Sequence, residues 1–144
     1  MVLLSNHYHV LLRTPLGGFS DGFQLINGSH SRRTNYRHGR TDHLFRNRPH
    51  SVAVRSEAHL AVAILYIARN PVEAGLCRTA EEWSFGSYRA LAGLEPAPSW
   101  LAVRDVHALF GIDTTNARAE LARLVRNEHL PVSDTEEMSW PFSP

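Results

Sequence analysis

Two histidines near the start of the chain, His7 and His9, are separated by a single residue. Because side chains alternate between the two faces of a β-strand, a strand through this segment places both imidazoles on the same face. Imidazole nitrogens are common ligands of divalent metals, so the pair can share one cation. Two histidines at this spacing also arise by chance in a chain with nine of them, and a purely structural role stays open.

A tyrosine and an asparagine, Tyr66 and Asn70, lie four residues apart in a segment that predicts a helix. Residues four apart share one helical face. If that face turns toward the histidines, the Asn70 carbonyl completes a three-ligand metal site and the Tyr66 oxygen can attack a phosphate. The alternative is an ordinary half-buried tyrosine, with an asparagine that merely precedes a helix-ending proline.

A short hairpin and one helix must position these four residues. Leu4 and residues 8–13 predict two strands, joined by a turn at residues 5–6, where serine and asparagine favour turns. Ser56 can cap the helix, whose apolar stripe runs to Asn70, just before a proline. The sequence therefore predicts a strand pair and a helix that can face each other.

Further elements are predicted on both sides of this helix. Helices are expected from residues 20–21 to about residue 37 and over residues 81–91, 103–110 and 116–126, with a basic loop at 38–47 and a short strand at 51–54. This mixture of elements predicts an α+β fold. We divide the chain into a domain at residues 1–76, a helical extension at 77–130 and a loosely structured tail at 131–144.

Positive charge is concentrated in the first part of the chain. Residues 1–55 carry eight arginines against two acidic residues, whereas residues 56–144 carry seven arginines against twelve acidic residues. All fifteen basic residues are arginines, whose planar guanidinium binds phosphate and stacks on bases. The first part therefore predicts contact with nucleic acid. A solvated basic face is the alternative.

The composition conflicts with a membrane protein and with a protein held together by disulfides or a cysteine-rich zinc site. No apolar run reaches the length of a membrane span, so we expect a soluble, cytoplasmic protein without a membrane partner. Cys77 is the only cysteine, so an internal disulfide and a cysteine-rich zinc site are both excluded. Any metal must therefore be held by His, Asn, Asp or Glu.

Several motifs, taken in order, resemble those of one family. They are SNHYHVLLRTP at residues 5–15, LING at 25–28, NYRHGR at 35–40, HLF at 43–45 and YIARNPVEAGL at 66–76. Across residues 2–111 the chain resembles the REP-associated tyrosine transposases, single-tyrosine HUH enzymes related to the smallest insertion-sequence transposases. The resemblance implies a ferredoxin-like α+β fold, followed here by C-terminal helices. It also implies a DNA transposase that cleaves and rejoins hairpin-associated DNA.

The resemblance assigns roles to the candidate residues. It implies that His7 and His9 bind a Mg²⁺ or Mn²⁺ ion with Asn70 as third ligand, and that Tyr66 is the nucleophile. The product is then a 5′-phosphotyrosine link with a free 3′-hydroxyl. The implied partner is single-stranded or hairpin DNA, in the nucleoid of a bacterial cytoplasm. Six arginines are then candidates for binding DNA phosphates: Arg32, Arg33, Arg37, Arg40, Arg46 and Arg48.

The resemblance also implies that elements are missing. Family members have a first strand, a first helix and most of a second strand before the position of Met1, and the first strand lies beside the HUH strand. We therefore expect residues 8–13 to present an unpaired edge. Such an edge predicts a homodimer or aggregation.

Two other function classes stay open. One is a catalytically inactive, truncated remnant that only binds DNA, which predicts salt-sensitive binding without a covalent adduct. The other is a phosphoesterase similar to the histidine-triad hydrolases, although Leu11 stands where that family has its third histidine.

Overall fold

The computed structural model describes residues 1–14, 17–47 and 49–127. They belong to two units, one formed by residues 1–11 and 54–127, and the other by residues 12–53. The elements are β1 (Val2–Leu3), β2 (Tyr8–His9), α1 (Phe19–His38), α2 (Glu57–Glu73), a 3₁₀ turn (Ala80–Glu82), α3 (Tyr88–Leu91), α4 (Val103–His107) and α5 (Thr114–Arg126).

Helices and an antiparallel strand pair confirm the α+β class. The ferredoxin-like arrangement and the boundary between residues 76 and 77 stay predictions. The tail predicted at residues 131–144 lies outside the described residues.

The hairpin forms at the predicted place. β1 and β2 pair antiparallel, with Val2 opposite His9, and the Leu4 amide donates to the His7 carbonyl at 2.9 Å, which closes a turn at residues 5–6. The second strand was predicted to reach residue 13, and this is wrong, since β2 ends at His9. The physical reason is that β1 offers only two residues with which a partner strand can pair.

The outer edge of β1 carries a backbone pairing that the sequence did not predict. The Leu3 amide donates to the Phe85 carbonyl at 2.8 Å, and the Ser87 amide donates to the Met1 carbonyl at 2.9 Å. Gly86 lies between these bonds, where an added Cβ would come 3.4 Å from the Met1 oxygen. The helix predicted over residues 81–91 is therefore wrong in its middle, because the backbone within residues 83–87 pairs with β1 instead.

Helix α2 begins as predicted and ends later than predicted. The Ser56 hydroxyl accepts from the His59 amide at 3.1 Å, which confirms the N-cap. The helix continues through Pro71 to Glu73, so its predicted end at Asn70 is wrong. A proline inside a helix costs roughly 3 kcal/mol. Here Pro71 is among the most completely buried side chains, and this burial offsets the cost.

The core of the first unit lies where α2, α3 and α5 pack together. Ala117 and Leu121 of α5 have no exposed surface. α5 starts two residues before the predicted position, because the Asp113 carboxylate caps it by accepting from the Asn116 amide at 2.9 Å. α4 is shorter than predicted and ends at His107. β1 packs against α2, which brings the hairpin to this core.

The second unit contains α1. The helix was predicted to be capped by Ser20 or Asp21, but it begins at Phe19 after Gly18, whose φ of 73° is the left-handed conformation that favours glycine. No residue of α1 is buried. The strand predicted at residues 51–54 is also wrong, since these residues are exposed and pair with no strand in the described part of the chain.

In the described part of the chain, each helix is too short or too polar to cross a bilayer.

Tyr88 makes the stability of the first unit sensitive to alkaline pH. Burial and the adjacent Glu81 carboxylate raise the pKa of Tyr88 to about 12, whereas an unfolded tyrosine has a pKa near 10. The folded chain therefore holds this proton more tightly, and the resulting stability, complete below pH 10, is lost as the pH rises toward 12. We expect the melting temperature to fall between pH 10 and pH 12, and to fall less in Tyr88→Phe. The exposed Tyr36→Phe is the matched control. Equal falls in Tyr88→Phe and the wild type would contradict this account.

Candidate functional site

The hairpin places the two predicted histidines beside each other. His9 lies in β2 and is half-buried, whereas His7 is the last residue of the turn and is exposed. Their ring centroids are 5.1 Å apart and the ring planes are perpendicular. The predicted proximity of the two imidazoles is therefore observed, although His7 precedes the strand instead of lying in it.

A neighbouring asparagine orients the His7 ring. The His7 Nδ1 and the Asn6 Oδ1 are 2.6 Å apart. Because an amide oxygen can only accept, the ring nitrogen donates, and in the neutral ring the lone pair is then on Nε2. This is the usual way in which a second hydrogen bond prepares a histidine to bind a metal. From the sequence we assigned Asn6 to the turn only, and its position beside His7 was the signal for this further role.

Helix α2 brings Tyr66 and Asn70 to the same place. The rings of Tyr66 and His9 have centroids 5.3 Å apart, nearly perpendicular to each other. The Asn70 Nδ2 donates to the His9 Nε2 at 3.4 Å, and the asparagine is only 8% exposed. The structure therefore gathers all four residues that the sequence singled out, around a buried amide and a half-buried imidazole.

The surroundings shift the protonation of two of these groups. Burial, with a further contribution from His7, lowers the pKa of His9, so its ring is neutral at neutral pH and its lone pair is available. Burial raises the pKa of Tyr66; the hydrogen bond with the Asn70 side chain opposes the rise, and the charge of Glu73 adds to it. Tyr66 is therefore protonated at neutral pH, and must lose its proton if its oxygen is to attack.

The imidazole nitrogens and the amide oxygen suit a divalent cation that keeps coordination positions free for a substrate. Within residues 1–14, 17–47 and 49–127, no three His, Cys, Asp or Glu side chains form a group that could hold a metal. For a third protein ligand the site offers the Asn70 amide oxygen, which takes the position of Nδ2 when the amide is turned over. Ligand atoms about 2.1 Å from one cation lie roughly 3.0–3.4 Å apart. The 3.4 Å between the His9 and Asn70 atoms fits that spacing.

A cavity of about 500 Å³ adjoins the C-terminal part of α2. Its charged side chains pair with one another, Arg69 with Glu73 at 3.5 Å and Arg126 with Glu81 at 2.8 Å. The cavity is therefore an ion-paired boundary between helices, and we assign no ligand to it.

Five of the six candidate arginines lie in the described part of the second unit, and all five are exposed: Arg32, Arg33, Arg37, Arg40 and Arg46. Arg48 lies outside the described residues. Among the described residues, arginines 69, 78, 89, 123 and 126 form ion pairs with glutamates, and these pairs leave the charges of the five candidate arginines in place. A role in binding DNA stays a prediction for all six.

Comparison of the chain with protein-family models, with characterised proteins and with solved structures gives no match.

Proposed function

We propose that the chain is a DNA transposase or single-strand endonuclease that joins Tyr66 to the 5′-phosphate of a cut strand, as in the REP-associated tyrosine transposases that its motifs resemble. The observation that carries the proposal is the convergence of His7, Asn70 and the Tyr66 ring around His9. A half-buried tyrosine with only a structural role needs neither the His9 imidazole nor the buried Asn70 amide beside it. The same resemblance implies a ferredoxin-like arrangement, which belongs to the proposal.

The metal in this proposal is Mg²⁺ or Mn²⁺, held by the His7 and His9 imidazoles and the Asn70 carbonyl. When bound, such a cation polarises phosphoryl oxygens and offsets the charge that develops during displacement, a contribution of several kcal/mol. His9 is prepared for this role because burial keeps it neutral. His7 is prepared because Asn6 fixes its Nδ1 proton.

The covalent step is a transesterification. The Tyr66 oxygen attacks a DNA phosphorus, the new bond joins that oxygen to phosphorus, and the bond to the 3′-oxygen of the upstream nucleotide breaks. The phenol loses its proton, and the departing 3′-oxygen gains one. The step conserves the number of phosphoester bonds, so the free 3′-hydroxyl can reverse it without ATP. Asn70 also contributes here, because its hydrogen bond favours the deprotonated tyrosine.

A chelation experiment tests the proposal. We would incubate the protein with oligonucleotides that carry a stem-loop flanked by randomised single strands, with Mn²⁺ or with excess EDTA, and separate the products on a denaturing gel. The proposal predicts a protein-DNA adduct that survives denaturant and forms only with the metal. A DNA complex that is metal-independent and dissociates in denaturant would instead support the alternative, a remnant that binds DNA without cutting it.

The proposed DNA partner predicts a salt dependence that two arginines determine. Each phosphate neutralised on a single strand lowers log K by about 0.7 per unit of log salt. Arg37 lies in the last turn of α1 and Arg40 follows the helix, and both side chains are exposed. We expect the double variant Arg37→Gln/Arg40→Gln to flatten the slope by roughly 1.4, measured by fluorescence anisotropy against salt concentration.

A matched variant controls for net charge. Arg104→Gln/Arg118→Gln removes two exposed arginines of the first unit and lowers the net charge equally. It should keep the wild-type slope. If the two double variants behave alike, α1 is a solvated basic face and the assignment of its arginines is wrong.

A further inference from the structure

Helix α1 has two different faces. On one face, the Asn35 side-chain amide donates to the Asp42 carbonyl at 2.8 Å, and the His30 ring lies 6.2 Å from the ring of Phe45. The loop that follows the helix therefore packs along this face. At about 100° per residue, Arg32, Tyr36 and Arg33 lie on the other face.

Tyr36 is the most exposed aromatic side chain of this helix. It is 94% exposed, so it contributes almost nothing to packing within the described chain. An isolated exposed aromatic residue needs no explanation. The surroundings of Tyr36 are unusual, however, because arginines occupy the positions four and three residues before it, and the positions one and four residues after it. Side chains three or four residues apart are neighbours on a helix surface, so Arg32 and Arg33 flank Tyr36, whereas Arg40 lies beyond the end of α1.

The exposed face continues toward the start of α1. Leu25 is 68% exposed and lies on the same side of the helix as Tyr36, and Ile26, which is 63% exposed, lies at the margin of that side. The face therefore offers an apolar strip, a planar ring and several positive charges together. A folded acidic protein would match the charges but has no need of the ring. A single nucleic acid strand matches both, because its phosphates are anionic and its unpaired bases present flat apolar surfaces.

We propose that Tyr36 is a stacking platform for an unpaired base of a DNA strand, whose phosphates are bound by Arg32 and Arg33. The proposal rests on the proposed function for its choice of DNA, and it adds a binding residue that takes no part in cleavage. Unpaired bases are the specific requirement, since a base within a duplex is already stacked on its neighbours. The platform therefore favours the single-stranded part of a hairpin substrate over its stem.

The test compares variants of Tyr36 on two probes, a fluorescein-labelled single-stranded oligothymidine and an abasic strand of the same length. Loss of one stacked base predicts that Tyr36→Ala binds oligothymidine about 5-fold to 150-fold more weakly than the wild type. Tyr36→Phe keeps the ring and should bind within about twofold. The salt slope should stay unchanged in both variants, because the phosphate contacts remain.

The abasic strand and a control variant make the outcome specific. Tyr36→Ala should not weaken binding to the abasic strand further, since that strand has no base to stack. Phe85→Ala removes a 60% exposed aromatic from the other unit and should leave both affinities unchanged. Wild-type affinity of Tyr36→Ala for oligothymidine overturns the proposal, as does an equal loss in Tyr36→Phe. If no base stacks on Tyr36, adduct formation by Tyr66 is unaffected. If instead the proposed function is wrong, no adduct forms, and base-dependent binding remains.

Discussion

Replacing Tyr66 with phenylalanine is expected to abolish the covalent adduct while single-stranded DNA still binds within about twofold of the wild type. Only the attacking oxygen is removed, and the ring can keep its contact with His9, whose centroid lies 5.3 Å away. A nucleophile has no substitute in a transesterification, so the expected loss exceeds about a thousandfold in rate. The measurement is the fraction of labelled DNA that migrates with the protein on a denaturing gel.

A second tyrosine of the same unit provides the control. Tyr8→Phe removes a hydroxyl from the hairpin strand, beside the histidines in sequence. It should form adduct at the wild-type rate, because only Tyr66 has the proposed role. Adduct formation by Tyr66→Phe would falsify the assignment of the nucleophile. Parallel losses in both variants indicate damage to the hairpin, which a melting curve of each protein would reveal.

Replacing His9 is expected to have the second largest effect. His9 contacts two other residues of the site, the Asn70 amide at 3.4 Å and the Tyr66 ring. Its removal leaves one imidazole and one amide, which is too few protein ligands to hold Mn²⁺ in place. We expect His9→Ala to lose adduct formation by about a hundredfold or more, and to lose Mn²⁺ binding measured by electron paramagnetic resonance.

Two further variants separate the metal from the fold. His9→Gln keeps a polar side chain against Asn70, so it should melt close to the wild-type temperature and still lack Mn²⁺ binding. His59→Ala removes a histidine from the start of α2, two turns before Tyr66, and should bind Mn²⁺ normally. Full Mn²⁺ affinity in His9→Gln and His9→Ala means that the cation binds elsewhere. DNA cleavage that persists in excess chelator means that no cation is needed.

The candidate site could be predicted because its signals are local. A spacing of two along a strand and a spacing of four along a helix each bring side chains together with no knowledge of the rest of the chain. The turn residues at positions 5–6 then placed the hairpin correctly. The contact between His9 and Asn70 joins residues that are sixty-one positions apart. From the sequence alone, we could state only that the site forms if the helix face turns toward the histidines.

The elements that were predicted wrongly depend on contacts distant in sequence. Residues 83–87 have helical neighbours on both sides, yet they pair with β1, because Gly86 lets that backbone approach. Pro71 is a helix breaker by local rules, and burial in the core overrides the rule. The short apolar segment at residues 51–54 has the composition of a strand and no partner among the described strands.

The central claim is that Tyr66 becomes linked to DNA, and peptide mapping of the adduct tests it most directly. The protein would be incubated with Mn²⁺ and the partly randomised stem-loop oligonucleotides, then digested with nuclease and trypsin and examined by tandem mass spectrometry. We predict a nucleotide mass on the peptide that contains Tyr66, joined through a 5′-phosphate to the tyrosine oxygen. A modification on any other tyrosine, or no modified peptide from any of the substrates, would contradict the account.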